Sequence, residues 1–159
     1  MPLPEEVARF IGQTTSTTYE VEKGAIARFA EAVGDPNPLY WDEEYAVKSR
    51  FGSIIAPPGF FGWPVKQRGE PPNDLVALVS LLSKAGYGRI LDGGIEWEFF
   101  RPVRAGDRLT VTSVIKNIVE RSGKTGKVVF LFREITYANQ NGETVATARQ
   151  TTIHPASQD

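Results

Sequence analysis

The segment Asp35-Pro36-Asn37-Pro38-Leu39-Tyr40 brings a carboxylate, a carboxamide and a phenol close together in the chain. The carboxylate of Asp35 is a candidate general acid or base. The alternative interpretation, which the turn chemistry favours, is that Asp35 is the first residue of an Asx turn that holds the two prolines in place. Each proline fixes its own φ and disfavours helix in the residue before it, so the segment is predicted to be a rigid turn.

Tyr40 and Asn37 supply the other polar groups of this turn. A phenol with an ordinary pKa of about 10 can donate a hydrogen bond, but it is a poor base near neutral pH. Tyr40 is therefore a candidate catalytic group or a half-buried aromatic residue whose hydroxyl is bound to a loop. Asn37 is a candidate substrate contact or a side chain that fixes the loop.

A second candidate segment is the bend Ala56-Pro57-Pro58-Gly59, which precedes Phe60, Phe61 and Trp63. The prolines are expected to start a helix that carries these aromatic residues. Large apolar side chains at these positions belong either to the core or to the wall of an apolar ligand pocket. We expect the pocket to lie beside Asp35 and Tyr40.

The remaining N-terminal pattern predicts a short helix over residues 4–12, a half-buried strand through Tyr19 and Val21, and then a longer helix. Ile26, Phe29, Ala30 and Val33 recur every three or four residues, which places them on one helical face ended by Gly34. Two further helices are predicted to begin at Asp42 and at Asp74. The second of these, LVALVSLLSKAG, is apolar on nearly every side and is expected to be wrapped by other elements.

The C-terminal half predicts a sheet. β-branched and aromatic residues dominate 95–100, 107–121, 127–137 and 143–153, with turn signals at 101–106, 122–126 and 139–142. Consecutive strands joined by short turns pair antiparallel, so the expected fold class is α+β. The chain of 159 residues is the length of one domain, which we assign to residues 1–159.

Composition excludes several classes of function. The chain has no cysteine, and 18 Lys plus Arg nearly balance 19 Asp plus Glu, so no thiolate chemistry is possible and no nucleic-acid partner is expected. No metal or cofactor motif is present, and the absence of a signal peptide or a long apolar run predicts a soluble cytoplasmic protein with no membrane partner. His154, the one histidine, lies near the chain end and is expected at the surface.

Two motifs, VGDPNPLYWDEEYA and EWEFFRPVRAGDRL, together with the Ala-Pro-Pro-Gly bend, resemble the MaoC-like dehydratases. The resemblance covers roughly Thr17 to His154 and is closest to the N-terminal fatty-acid-synthase-type dehydratase domains. These include the non-catalytic subunits of heterodimeric (3R)-hydroxyacyl dehydratases. It implies a hot-dog fold, in which a long antiparallel sheet wraps around a central apolar helix.

The same resemblance implies a site for an acyl thioester of coenzyme A or acyl carrier protein, located at a dimer interface. The implied reaction is reversible hydration of a 2-enoyl thioester. It implies catalytic roles for Asp35 and Tyr40. It implies substrate contacts at Asn37 and Gly59 and at the three aromatic residues, Phe60, Phe61 and Trp63.

Three positions depart from the family pattern D-x-N-P-x-H and its I-A-H-G bend. Tyr40 replaces the histidine, Pro58 occupies the position whose N–H binds the thioester oxygen, and Asp92 stands where related domains often have a histidine. Gly59 can replace the lost donor only if the backbone is rotated.

These departures leave three hypotheses. The chain is a subunit with an incomplete half-site that acts with a His-bearing hot-dog partner, or it is an active hydratase by itself, or it is a non-enzymatic acyl-thioester-binding module. The exposed edges of a five-stranded sheet predict a homodimer or a heterodimer.

Overall fold

The computed structural model describes residues 5–62, 74–123 and 126–157. A 3₁₀ helix at Glu5–Phe10 precedes strand β1, Thr14–Glu20. Helix α1 follows at Lys23–Val33, then a second 3₁₀ helix at Pro38–Tyr40 and helix α2 at Glu43–Lys48. Helix α3 spans Asp74–Lys84, and the other four strands are β2 (Leu91–Phe99), β3 (Arg108–Gly123), β4 (Gly126–Ala138) and β5 (Thr144–Pro155).

The predicted helix ends are confirmed where the structure describes them. Gly34 follows α1 with a φ of 71°, in the left-handed region that favours glycine, and its N–H binds backbone carbonyls of the last turn. Asp42 accepts a hydrogen bond from the backbone N–H of Tyr45 and thereby caps α2. Val33, expected on the buried face of α1, is instead 58% exposed.

The five strands form one antiparallel sheet in the order β1-β3-β4-β5-β2. The prediction that neighbouring strands in sequence pair is confirmed for β3, β4 and β5, but it is wrong for β2, which pairs with β5 rather than with β3. The reason is that residues 101–106 do not form a tight turn between β2 and β3. Instead, Arg104 in this connection forms an isolated antiparallel bridge with Ile55.

One face of the sheet is covered by the helices and by the segment at residues 54–61, through two apolar clusters. The first cluster joins α1 and residues 54–61 to the end of the sheet that includes Leu109 and Ala146. The second joins α3 and the first 3₁₀ helix to the other end, around Val129 and Leu131. Leu78 and Leu82 are fully buried, while Val76 is 44% exposed, so α3 buries one face rather than its whole surface.

His154 corrects the expectation of a surface histidine. It is fully buried, because β5 continues to Pro155 and the backbone N–H of Ala156 then binds the carbonyl of Lys127. The imidazole Nε2 lies 3.1 Å from the hydroxyl of Thr152. Burial lowers the pKa of the imidazole, although the backbone of Tyr87 partly opposes this effect.

Candidate functional site

The Asp35–Tyr40 turn is held together mainly by its own side chains. The Asp35 carboxylate accepts a hydrogen bond from the backbone N–H of Asn37 at 3.0 Å, and the Asn37 carboxamide accepts one from Leu39 at 3.1 Å. These two bonds are the Asx-type contacts expected of the structural interpretation. One carboxylate oxygen of Asp35, Oδ1, accepts the bond from Asn37, and the side chain is half-buried.

The hydroxyl group of Tyr40 is in an environment that opposes ionisation. The residue is only 7% exposed, and burial is the main cause that raises the pKa of its phenol above 10, with the negative charge of Asp35 as the second cause. A phenol with a raised pKa stays protonated at neutral pH. Tyr40 can therefore donate a hydrogen bond, but it cannot accept a proton as a base would.

The proline bend differs from its prediction. The N–H of Phe60 binds the carbonyl of Pro57 at 3.0 Å, and Gly59 has a φ of 86°, so Pro57–Phe60 is a reverse turn. No helix begins here within residues 57–62, because Gly59 takes a left-handed conformation rather than a helical one. The expected position of Trp63 lies outside the described residues.

Phe60 and Phe61 are both buried, but they pack in different directions. Phe60 stacks on Phe29 of α1 with ring centroids 4.7 Å apart. Phe61 stacks on Tyr137 at 4.2 Å and lies 5.1 Å from Trp97, so it belongs to an aromatic group on the sheet.

A cavity of about 440 Å³ lies between the proline bend, the Tyr40 turn and the end of β2. This volume is within the range of small-molecule sites. Of the predicted site residues, Tyr40, Phe60 and Phe61 line it, whereas Asp35, Asn37 and Gly59 do not. The remaining wall comes mainly from apolar side chains of 39–58 and 99–103, such as Leu39, Ile55, Phe99, Phe100 and Val103.

Two arginines that our reading of the sequence did not single out, Arg50 and Arg101, also line this cavity. The guanidinium of Arg50 lies 4.8 Å from the ring centre of Phe51, and that of Arg101 lies 3.2 Å from a Glu143 carboxylate oxygen. No local sequence signal identifies them, because the wall joins two segments about 50 residues apart in the chain. The two segments are joined by a hydrogen bond from the guanidinium of Arg104 to the backbone carbonyl of Phe51.

Among the described residues, no group of three or more histidine, aspartate or glutamate side chains could hold a metal ion. His154 lies at the far end of β5, beside the second apolar cluster, and does not line the cavity. Asp92 accepts a hydrogen bond from the backbone of Gly94 in β2. Within the described ranges, therefore, no imidazole is available to the cavity.

No helix in the described ranges is long and apolar enough to cross a membrane.

Comparison with known proteins supports a single family. The model of the FAS1-like dehydratase domain region matches residues 9–148. A UPF0336 protein of Streptomyces avermitilis is 40% identical over 142 residues, covering 87% of this chain and 88% of that protein. A probable enoyl-CoA hydratase alpha subunit of Thermomonospora curvata is 30% identical over 151 residues, which cover 90% of this chain and 47% of that protein.

Among solved structures, the ChsH1–ChsH2 complex of Mycobacterium tuberculosis contains a chain that superimposes with a TM-score of 0.77 at 23% identity. The match covers 96% of this chain and 95% of that chain. This likeness confirms the predicted hot-dog fold.

Proposed function

Because the chain belongs to the FAS1-like dehydratase-domain family, we propose that it is a subunit of an enoyl-thioester hydratase or (3R)-hydroxyacyl-thioester dehydratase. Its own half-site is incomplete, and a His-bearing hot-dog partner completes it. The observation that carries this proposal is the cavity beside Tyr40, which has an apolar wall and a hydrogen-bond donor but no group that is basic near neutral pH.

Hydration of a 2-enoyl thioester requires a base that removes a proton from water and an acid that protonates Cα. It also requires donors for the thioester oxygen, on which negative charge develops. In this chain the phenol of Tyr40 stays protonated, and Pro58 has no N–H. The Asp35 carboxylate is close enough to raise the pKa of Tyr40, but it already accepts the N–H of Asn37.

The edge strand β2 is the surface that fits a partner. Both edges of the sheet are exposed, but β1 is the polar run TTSTTYE, whereas β2 and its flanks expose apolar side chains. Ile90, Leu91, Phe99 and Phe100 are 42–53% exposed. An unpaired apolar edge is a template for pairing with another chain.

Pairing at β2 also brings the partner to the cavity. Phe99 and Phe100 both line the cavity and lie at the C-terminal end of β2 or next to it, so a chain added to this edge closes the same wall. A histidine from the partner can then supply the missing base. The ChsH1–ChsH2 structure, itself a complex of two chains, is consistent with such an arrangement.

The cavity also fits an acyl thioester. Its apolar wall suits the acyl chain, and Arg50 supplies positive charge for the phosphates of coenzyme A or of an acyl carrier protein, whereas Arg101 is paired with Glu143. We place Tyr40 as a hydrogen-bond donor to the thioester. Phe60 and Phe61 act as the wall, and Asp35, Asn37 and Gly59 hold the turns that carry these groups.

The test is co-expression with a hot-dog protein that contains the full Asp and His pair, encoded beside this chain. We expect the two chains to purify together and to hydrate crotonyl-coenzyme A. In that complex, substituting the partner's histidine should lower turnover by about 10²- to 10⁴-fold, the range for a general acid/base group. Tyr40→Phe in this chain removes one donor to the thioester and should lower turnover by about 10²- to 10³-fold, but it should keep the fall in turnover at low pH that protonation of the partner's histidine causes.

A Tyr40→Phe complex whose turnover no longer falls at low pH would assign the base to Tyr40 and overturn the proposal. Binding of acyl thioesters by a chain that forms no active complex would instead identify a non-enzymatic binding module. That second function is favoured by one observation, namely the pre-formed cavity in a chain without a base.

A further inference from the structure

Arg133 carries a positive charge on the helix-facing side of the sheet, between the two apolar clusters. Alternate residues of β4 face the same side, so Arg133 shares its face with Leu131 of the second cluster and with Tyr137, which packs against the first. The Nε–H of its guanidinium is fully buried.

The hydrogen bonds of Arg133 within the described residues are few for a half-buried cation. Its Nη2 donates to the carboxamide oxygen of Gln150, the residue opposite it on β5, while its Nε has no acceptor. A guanidinium has five N–H donors. Desolvation lowers the pKa of Arg133, which reflects the cost of holding this charge away from water.

The carboxylates that the strand register brings near Arg133 are either on the opposite face or paired with other groups. Glu134 is on the opposite face, where it pairs with Lys116 at 3.2 Å and approaches Arg149 at 3.9 Å. Glu120 shares the face of Arg133 but is bound to Lys127 at 2.8 Å and to the Tyr87 hydroxyl at 2.5 Å. Among the described residues, therefore, no acid forms an ion pair with Arg133.

Other polar groups point to the same region. Gln150 uses its oxygen as the acceptor for Arg133, which leaves its NH₂ group free to donate. Tyr137 is close enough for the Arg133 charge to act on its pKa. A phenol, a carboxamide and a guanidinium thus lie close together on an otherwise apolar face.

We propose that Arg133 and Gln150 form a polar subsite that binds a carboxylate carried by the acyl chain of the ligand. This inference rests on the acyl-thioester function proposed above and narrows its substrate class to carboxyl-bearing acyl chains. A planar guanidinium matches a carboxylate with two parallel hydrogen bonds. An anion at this position also offsets the cost of the partly desolvated charge, which a methyl-ended chain cannot do.

The position of the subsite sets the length of the chain. Phe99, at the cavity wall, pairs with Ala146 of β5, and Arg133 of β4 pairs with Gln150 of β5. Ala146 and Gln150 are four residues apart. At about 3.3 Å per residue this separation is roughly 13 Å. A medium-length acyl chain spans this distance. Neither Arg133 nor Gln150 lines the cavity itself, so the proposal requires the chain to extend beyond the cavity along this face, past the stacked Phe61 and Tyr137.

The experiment compares the binding of two probes of equal chain length, decanedioyl-coenzyme A with a free terminal carboxylate and decanoyl-coenzyme A, by titration calorimetry. We expect the unsubstituted protein to bind the carboxylated probe about tenfold or more tightly than the other, because a hydrogen bond to a charged group contributes about 1.5–3 kcal/mol. Arg133→Met should abolish this preference and leave the affinity for decanoyl-coenzyme A nearly unchanged.

The matched control is Arg149→Met. Arg149 lies next to Gln150 on β5 but on the opposite face, where its side chain is 76% exposed, so its loss should not change the preference. Equal affinities for the two probes in the unsubstituted protein would overturn the subsite even if Arg133→Met does not fold. Failure of both probes to bind, with and without the partner, would instead refute the acyl-thioester function itself.

Discussion

At the scale of single residues, Tyr40 decides which hydrogen-bonding group the cavity offers. A buried phenol beside a carboxylate keeps its proton, so the site retains a donor and lacks a base. The residues around it are occupied with holding the turn, since the carboxylate of Asp35 and the carboxamide of Asn37 both accept backbone N–H groups.

The first prediction concerns Asn37, whose carboxamide caps the 3₁₀ helix at Pro38–Tyr40. Asn37→Ala should lower the free energy of unfolding by about 0.5–2 kcal/mol, the usual cost of losing such a cap. Equilibrium unfolding in urea measures this change. Asn37→Asp keeps the acceptor and serves as the control. A loss as large in Asn37→Asp as in Asn37→Ala would mean that the hydrogen bond is not what matters.

The second prediction concerns His154, which is buried with a pKa lowered by desolvation. The unfolded chain then binds more protons than the folded one once the pH falls below the ordinary histidine pKa of about 6.5. The free energy of unfolding should therefore decrease from pH 7.5 to pH 5.5, and the decrease should end below the folded pKa.

The measurement is urea unfolding at both pH values for the unsubstituted protein and for His154→Gln. We expect the variant to be less stable at pH 7.5 but to show a smaller loss between the two pH values. The same pH dependence in both proteins would show that His154 is not the group responsible.

At the scale of secondary-structure elements, β2 has the most direct bearing on function. Every residue of this strand except Trp97 is exposed, and the strand ends at the cavity. In a monomer this edge leaves unpaired backbone groups and apolar side chains in water.

The third prediction follows from that edge. The protein should sediment as a dimer or with its partner, and Leu91→Lys should dissociate the complex because it places a charge in the paired edge. Val47→Lys is the matched control, since Val47 is 59% exposed on α2 and lies outside β2. Sedimentation equilibrium distinguishes the outcomes. A monomer before any substitution, or dissociation by the control alone, would refute this interface.

The elements also show how much could be predicted from the sequence. Periodicity and cap residues predicted α1, α2 and all the strands, because these signals are local: Gly34 ends α1, and Asp42 begins α2. The proline bend was predicted wrongly as a helix start, because the left-handed φ of Gly59 overrides the tendency of the prolines.

The candidate site was predicted less completely than the fold. Tyr40, Phe60 and Phe61 line the cavity, and the guanidinium groups of Arg50 and Arg101 come from segments that meet only through tertiary contacts. The burial of His154 was missed for a related reason. It results from the pairing of β5 with β4 as far as Pro155, and a position near the end of the chain gives no sign of that pairing.

At the scale of the whole molecule, the two apolar clusters divide the helix-facing side of the sheet into two regions. The first holds the cavity and the edge proposed for a partner, and Arg133 lies between the two. In the proposed arrangement the chain contributes the acyl-binding wall and the second chain contributes the base.

The central claim is tested most directly by the turnover of crotonyl-coenzyme A by the purified chain alone. Without a general base and without an N–H at position 58, losses of about 10²- to 10⁴-fold and 10²- to 10³-fold are expected. Turnover should then lie far below the median enzyme value of about 10 s⁻¹ and rise by orders of magnitude when the His-bearing partner is added. Turnover by the lone chain within about tenfold of that median would contradict the account.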